Sequence, residues 1–398
     1  MIGRFSVSIL GRILAALMQA AVIALLARGL EVEQFGIYGV VVSICLVVMA
    51  VFEFGLGNRV LRLANDPARR GVVGTAVILR ASLSVSLPLL AWLLAATLST
   101  PIVLAIAAVV STIGETSGNL GVGILQGEKR TTWAMSMLLA RRVAALIPFA
   151  FGLGASQALA SLFAGGLVGI LVFFAIAIPR ASRPRSLWRL IRENGAIILV
   201  GGAGNLSQID VFLVGAVRGA VEAGFYAAAV RLFNPINIGI GTLMQVLIPE
   251  LAAEESVDRR HRLFRRSRVL VGIASVCIVV FAAASPLIVD LLYGPAFAPS
   301  APIVAAVIVS AGLSSFAQLH LAWFYASSVP KIVPVGMWVA TLCGLTLITV
   351  LGSMYSVWGL AVGFLSMYLI STCWIVAAWH VHGRPRPDSS DPRPTEST

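Results

Sequence analysis

The chain has 398 residues, of which 59% are hydrophobic and only 12% are charged, and its formal net charge is +12. Soluble domains carry about 25% charged residues, so this composition excludes an ordinary water-soluble protein. A membrane-spanning helix needs about 20 apolar residues, and the length leaves room for about twelve such helices joined by short loops. The four cysteines lie in apolar stretches, without a disulfide framework or a metal-ligand spacing.

Apolar segments recur along the whole chain and predict an all-α integral membrane protein with about twelve transmembrane helices. The first segment is long enough to span and lacks the cleavage site of a signal peptide. The predicted spans cover residues 6–27, 35–57, 73–98, 101–126, 131–153, 155–178, 195–217, 223–249, 267–292, 300–326, 332–354 and 356–380. Residues 381–398 are polar and rich in Pro, Ser and Asp, so we expect a disordered cytoplasmic tail.

The loop charges predict the orientation. When the spans are threaded alternately through a membrane, only Arg28 and Arg218 of the 29 Lys and Arg residues fall in loops that face outward. Positive charge is retained on the cytoplasmic side, so we expect a multi-pass protein of the inner membrane with both termini in the cytoplasm. The basic residues then meet anionic lipid headgroups. We therefore expect membrane lipids, and no nucleic acid, as partners.

A repeated segment divides the chain into two halves. The loop that runs from Arg28 to Tyr38 recurs from Arg218 to Tyr226, shorter by two residues, between the first and second helices of each half. Because each half has an even number of spans, the repeats are parallel and related by an axis along the membrane normal. The alternative is a chance likeness between short polar turns.

This repeat predicts the domain organisation. We expect an N-terminal six-helix bundle over residues 1–178, a cytoplasmic linker over residues 179–194 and a C-terminal six-helix bundle over residues 195–380. The two bundles should enclose a central cavity.

Charged residues inside the spans are the strongest functional signal, because a charge at the bilayer centre costs about 2.5–3.5 kcal/mol on insertion scales. Arg80 lies in the third span, Arg141 and Arg142 in the fifth and Arg231 in the eighth. Guanidinium groups bind phosphates bidentately, so several around one cavity suit a diphosphate. Neighbours on a helix point about 100° apart, so we expect Arg141 and Arg142 to border one wide cavity and not to share one narrow contact. The alternative for each arginine is snorkelling or internal pairing.

Two intramembrane acids complement these arginines. Asp210 lies in the seventh span and Glu115 in the fourth, each among polar neighbours. Either is a candidate for coupling transport to H⁺ or Na⁺, and the alternative is a buried salt bridge to one of the arginines. The sequence has no Walker motif, no Cys/His cluster and no long outer loop, so we expect no catalytic residues, no metal, no cofactor and no enzymatic activity.

Several segments resemble the polysaccharide repeat-unit flippases of the multidrug/oligosaccharidyl-lipid/polysaccharide (MOP) exporter superfamily. They are LAR (26–28) with EQFGIY (33–38), FEFGLG (52–57), NLSQID (205–210) with AGFYAAAVRLFNP (223–235), LLYG (291–294) and WGLA (358–361). Their order and spacing over nearly the whole chain carry the resemblance. The chain departs from the family at Glu31, where a glycine is usual.

The resemblance implies a two-lobed transporter that moves a polyprenyl-diphosphate-linked oligosaccharide to the outer leaflet by alternating access, for cell-surface polysaccharide biosynthesis. The lipid-linked oligosaccharide, and the polysaccharide assembly machinery, would then be partners. Substrate contacts are expected at Arg28, Arg141 and Arg231, with Arg142 and Arg80 as further candidates. Asp210 is the ion-coupling hypothesis, with Glu115 as a further candidate.

Two alternatives stay open. A cation-coupled multidrug exporter of the same superfamily predicts acids in the cavity, whereas intramembrane arginines outnumber intramembrane acids in this sequence. A membrane glycan polymerase or ligase needs a substantial outer catalytic loop, whereas every predicted outer loop has only a few residues.

Overall fold

The computed structural model describes residues 2–53, 68–184, 202–233, 247, 251, 256–326 and 329–382, and the regular elements within these ranges are all helical. Nine helices in this part of the chain are long and apolar enough to cross a membrane. The prediction of a multi-pass, all-α membrane protein is therefore confirmed. The end of the second predicted span, the linker from residue 185, the start of the seventh span, most of the second half of the eighth and the tail from residue 383 lie outside the described residues.

Within the described residues, the α-helices fall into two sets of six in chain order. The first set is α1 (Ile2–Gly29), α2 (Val32–Glu53), α3 (Ala68–Thr97), α4 (Ile102–Gly127), α5 (Thr131–Leu146) and α6 (Ala155–Ala177). The second set is α7 (Asp210–Arg218), α8 (Ala220–Arg231), α9 (Val257–Phe281), α10 (Ser285–Tyr293), α11 (Ala301–Ala326) and α12 (Ile332–His382). A 3₁₀ turn, Ala282–Ala284, joins α9 to α10 as one continuous crossing.

The last helix, α12, contains two membrane crossings. Its 51 residues would extend for about 77 Å if straight, more than twice the hydrocarbon thickness of about 30 Å. Ser356 has φ 51° and ψ −133°, outside the helical region, and reverses the chain. Gly359 then packs on Leu351, and Gly363 on Ile348. These antiparallel contacts correspond to the predicted eleventh and twelfth spans.

Each set of helices forms its own bundle. In the N-terminal bundle α4 packs on α6 and α3, and α1 packs on α5. In the C-terminal bundle α11 packs on α9 and α12, and α7 packs on α8 and α12. The bundles meet chiefly where α2 contacts α7 and α8.

Two glycines lie at the centre of this interface. A side chain on Gly36 would strike the carbonyl oxygen of Ala220, and a side chain on Gly224 would strike the carbonyl oxygen of Val32. Each carbonyl lies four residues before the opposing glycine, so the contacts are reciprocal, as they are at a two-fold axis. Gly36 and Gly224 also occupy the same place in the two copies of the repeat. The predicted parallel repeat is confirmed.

Further contacts join the bundles towards the side predicted to face outward. Arg28 donates hydrogen bonds to the carbonyl oxygens of Leu291 at 2.6 Å and Leu292 at 3.0 Å, near the end of α10. Phe35 packs edge-to-face on Phe297, with ring centroids 5.7 Å apart. This outer seal, formed by Arg28, Phe35, Gly36, Gly224 and Phe297, holds the two bundles together on that side.

Candidate functional site

Arg141 and Arg142 of α5 both form ion pairs with Glu115 of α4. Nη2 of Arg142 lies 2.7 Å from Oε1 of Glu115, and Nη1 lies 3.2 Å from Oε2. Nη2 of Arg141 lies 3.3 Å from the same Oε1, and its Nη1 donates to the main-chain carbonyl oxygen of Glu115 at 2.7 Å. The expectation that the two arginines would not share one contact is wrong, because their long stems converge despite the angle between them.

Polar groups on neighbouring helices hold this cluster in place. Nη2 of Arg142 donates to Oε1 of Gln19 on α1 at 2.8 Å, and Nη2 of Arg141 donates to Oδ1 of Asn119 at 3.3 Å. The Arg141 side chain is only 5% exposed, whereas 32% of the Glu115 side chain remains exposed. One carboxylate faces two guanidinium groups, so the cluster carries one surplus positive charge.

A small cavity borders the Glu115 cluster, and both bundles line it. Its volume is about 50 Å³, room for one or two water molecules, whereas small-molecule sites typically measure about 300–1,000 Å³. The bundles must therefore separate before a large ligand can reach the cluster. The polar side chains in its lining are those of Gln19, Tyr38, Ser111, Glu115, Arg141, Arg142, Ser161 and Arg231.

Asp210 lies at the start of α7 beside a second cavity of similar volume, about 50 Å³. Its side chain is buried; Oδ2 accepts a hydrogen bond from the Tyr226 hydroxyl at 3.0 Å, and Oδ1 accepts one from the Val211 amide at 2.7 Å. Both donors are neutral, in contrast to the two cations on Glu115. Ser43 of α2 closes the cavity from the other bundle by donating to the carbonyl oxygen of Gln208.

Arg231 lies between the two cavities and lines both of them. Its Cζ atom is 4.8 Å from the centroid of the Tyr38 ring, a cation–π contact between the bundles. Its Nε is buried and has no hydrogen-bond partner among the described residues. A buried donor without an acceptor is unfavourable, so this position favours an anionic ligand.

Arg28 and Arg80 lie away from these cavities. Arg28 is exposed and borders a separate outer cavity of about 410 Å³ beside Glu31 and Asp290. Arg80 is 3% exposed inside the N-terminal bundle, where its Nη1 contacts Sδ of Met49 at 3.0 Å and Oγ1 of Thr116 at 3.1 Å. Of the residues that the sequence predicted, the structure thus brings together Glu115, Arg141, Arg142, Arg231 and Asp210.

Sequence reasoning missed the two tyrosines at this site. Tyr38 lies under Arg231, and Tyr226 binds Asp210. Both occur in a Gly-x-Tyr segment of the repeat, two residues after the glycines of the interface. The repetition of a hydroxylated aromatic residue beside intramembrane charges was a signal that could have identified them.

Most of the chain also matches a known protein family. A family described as "Polysaccharide biosynthesis protein" matches residues 4–254. The chain belongs to this family. The part of the chain that matches the family includes Glu115, Arg141, Arg142, Asp210 and Arg231. No curated protein sequence matches the chain.

Solved structures of MOP-superfamily proteins share this fold. Lipid II flippase MurJ in an inward closed conformation aligns with a TM-score of 0.70 at 11% identity, over 94% of this chain and 87% of that chain. A multidrug resistance MATE family transporter aligns with a TM-score of 0.68 in its inward-facing conformation, at 13% identity over 92% and 95% of the two chains. A structure of a multidrug resistance MATE family transporter in an outward-facing conformation gives a TM-score of 0.59 at 18% identity, over 94% of this chain and 96% of that chain. The predicted family resemblance and the fold of two six-helix bundles are confirmed.

Proposed function

We propose that this member of the polysaccharide biosynthesis protein family moves a polyprenyl-diphosphate-linked oligosaccharide repeat unit across the bacterial inner membrane, with both of its termini in the cytoplasm. The observation that carries the proposal is the excess of positive charge between the bundles. Three guanidinium groups, on Arg141, Arg142 and Arg231, line the two cavities, whereas among the described residues only Glu115 and Asp210 supply carboxylates to them. A diphosphate offers several anionic oxygens that match this excess.

Arg231 is the group best suited to bind the diphosphate directly. The Nε atoms of all three arginines lack a partner among the described residues, but the guanidinium group of Arg231 is covered by an aromatic face, whereas those of Arg141 and Arg142 are paired with a carboxylate. A phosphate oxygen can therefore approach without breaking an ion pair. Arg141 and Arg142 stay paired with Glu115 and supply the surplus positive charge beside it.

Transport requires alternating access because neither central cavity can hold the cargo. Each has a volume of about 50 Å³, and the outer seal joins the bundles on the predicted external side. We infer that opening towards the cytoplasm admits the diphosphate and sugars while the polyprenyl tail stays in lipid. Release of the outer seal then exposes the cargo to the other side.

Asp210 is our candidate for the coupling site for H⁺ or Na⁺. Its carboxylate is held by neutral donors and lies beside a cavity that both bundles line. A bound cation would neutralise it next to Arg231 and change the electrostatics of the cargo site. Glu115 is less suited to this role, because two arginines already occupy its oxygens.

The deciding experiment assigns the lipid-linked oligosaccharide to a membrane leaflet in cells depleted of this protein, with an impermeant sugar-labelling reagent applied from outside. We expect the oligosaccharide to accumulate on the inner leaflet, and wild-type protein to restore outer labelling. Arg231→Ala should fail to restore it, whereas Arg266→Ala, at an exposed arginine of α9, should succeed. Unchanged labelling after depletion would overturn the proposal.

A second candidate, cation-coupled multidrug export, has one observation in its favour. Asp210 shares its cavity with Phe233, Phe364 and Tyr368, and the Phe233 and Tyr368 rings lie 4.7 Å apart. An acid beside aromatic rings suits a lipophilic cation. This reading predicts that depleted cells become sensitive to lipophilic cations while oligosaccharide labelling stays normal.

A further inference from the structure

The first three turns of α9 carry six arginines on two opposite faces of the helix. Arg260 and Arg268 lie eight residues apart, on the face that contains Phe264 and Val271. Phe264 is 2% exposed and Val271 4% exposed, because this face packs on the rest of the C-terminal bundle. The opposite face carries exposed arginines, among them Arg262 and Arg266. Arg260 is half-buried on the packed face, whereas Arg268 is exposed at the edge of that face.

Tryptophan rings contact both Arg260 and Arg268. The Cζ atom of Arg260 lies 5.1 Å from the centroid of the Trp323 ring, and that of Arg268 lies 5.6 Å from the Trp379 ring. The His261 ring lies 4.7 Å from the Trp323 ring, and Phe264 stacks on Trp379 at 5.1 Å. A cation–π contact covers the face of a guanidinium group and leaves its edge N–H groups available to a ligand.

Several nitrogen atoms of this cluster are buried without a hydrogen-bond partner among the described residues. They are Nε and Nη2 of Arg260, Nε2 of His261 and Nε1 of Trp379. Trp379 itself is 9% exposed. Buried polar groups are nearly always hydrogen-bonded, so unsatisfied nitrogens beside two arginines indicate an anion with several acceptor oxygens.

The cluster lies at the depth of lipid headgroups. The continuous crossing Arg259–Tyr293 has 35 residues, or about 50 Å at 1.5 Å per residue, against a hydrocarbon thickness of about 30 Å. Its first ten residues, which include every arginine of α9, therefore extend beyond the hydrocarbon on the side predicted to face the cytoplasm. Tryptophans are typical of this interface, where lipid phosphates are the most abundant anions.

We propose that Arg260, His261 and Arg268, with Trp323 and Trp379, form a binding site for the phosphate headgroup of an anionic glycerophospholipid of the inner leaflet. The two arginines supply charge, and the unsatisfied nitrogens of Arg260, His261 and Trp379 supply hydrogen bonds. The acyl chains remain in the bilayer beside α9. This site lies on the C-terminal bundle alone and does not depend on the proposed cargo.

The experiment measures phosphatidylglycerol retained by the purified full-length protein, by native mass spectrometry after reconstitution with phosphatidylglycerol and phosphatidylcholine. The test pair R260Q/R268Q and the control pair R262Q/R266Q remove the same charge from the same helix. We expect the test pair to weaken phosphatidylglycerol binding about tenfold or more, since a direct hydrogen bond to a charged phosphate contributes about 1.5–3 kcal/mol. The control pair should stay within about twofold of wild type. Equal losses in both pairs, or no loss in either, would overturn the site.

Two further measurements separate folding from binding and identify the source of the phosphate. Trp379→Phe keeps the ring but removes the Nε1 donor, and it should weaken binding severalfold while thermal unfolding stays unchanged; unchanged binding would contradict the role of Nε1. Excess inorganic phosphate should not displace phosphatidylglycerol. Displacement would assign the site to soluble phosphate, and stronger retention of undecaprenyl diphosphate would assign it to the lipid-linked cargo; either result overturns the glycerophospholipid.

Discussion

The two bundles hold their intramembrane charges in different ways. In the N-terminal bundle Glu115 accepts hydrogen bonds from both Arg141 and Arg142, so acid and base satisfy each other at 2.7–3.3 Å. In the C-terminal bundle Asp210 is bound by a hydroxyl and an amide, and Arg231 stacks on an aromatic ring from the other bundle.

This difference separates a fixed element from a responsive one. The Glu115 cluster keeps its net positive charge, because separating Glu115 from its arginines would leave a buried charge unpaired. Asp210 and Arg231 can each take a new partner without breaking a salt bridge to the other. The coupling ion and the cargo diphosphate are therefore expected to act on the C-terminal pair first.

The largest expected effect is on stability. Glu115→Ala leaves two buried guanidinium groups without their carboxylate, and we expect a loss of about 3–5 kcal/mol in the free energy of unfolding. Asp210→Asn keeps one acceptor oxygen, for Tyr226, and loses the one that accepts from the Val211 amide, so its loss should be about 0.5–1.5 kcal/mol. Thermal unfolding of the purified variants in one detergent measures both. Similar losses for the two variants would remove the contrast between the bundles.

Next in size is the effect of Arg231 on transport. Loss of a charged hydrogen bond to the cargo costs about 1.5–3 kcal/mol, so Arg231→Ala should lower the rate of oligosaccharide translocation about 10- to 100-fold at unchanged melting temperature. Arg231→Lys keeps the charge but loses the planar fork, and it should retain an intermediate rate. Proteoliposomes loaded with the lipid-linked oligosaccharide provide the assay, and a normal rate for Arg231→Ala would exclude direct binding.

The dependence of transport on an ion gradient should distinguish Asp210 from Glu115. Asp210→Asn cannot exchange a charge for H⁺ or Na⁺, so translocation should become independent of an imposed ion gradient. Glu115→Gln should keep the gradient dependence, even though the loss of a salt bridge lowers its overall rate. The measurement is the ratio of rates with and without the gradient. A ratio that falls only in Glu115→Gln would move the coupling site to the N-terminal bundle.

The smallest expected effect is on stability, at Gly118 of α4, which packs against the Arg141 side chain. A Cβ on Gly118 would lie 2.7 Å from Nη1 of Arg141, so Gly118→Ala must displace the end of that side chain at a cost of about 1 kcal/mol. Gly123→Ala on the same helix is the matched control, because no heavy atom lies within 4 Å of its added Cβ. Its melting temperature should equal or exceed that of wild type. Equal behaviour of the two variants would show that Arg141 adapts freely.

Hydropathy and loop charge predicted the helices well, because a helix in lipid must satisfy its own backbone and so needs a continuous apolar segment. The predicted span 155–178 corresponds to α6, Ala155–Ala177, and the predicted break between residues 354 and 356 corresponds to the turn at Ser356. Both features depend on local sequence alone.

The partners of the charged residues were harder to predict. Pairing depends on how each helix is rotated and tilted against its neighbours, which hydropathy does not encode. The sequence therefore left a salt bridge to an arginine open for both Glu115 and Asp210, although only Glu115 has two arginines within 3.3 Å among the described residues. The same limit explains why Arg28 was grouped with the cavity arginines, whereas it binds the end of α10 in the outer seal.

The reciprocal contact between Gly36 and Gly224 has a consequence for biosynthesis. The two glycines are separated by about 190 residues, and at about 5–20 residues per second the second arrives about 10–40 s after the first. Throughout that interval the small-residue face of α2 borders lipid, where such faces attract other helices. The nascent N-terminal bundle must therefore avoid pairing with a second copy until α8 is inserted, which makes the outer seal the product of a late step in membrane assembly.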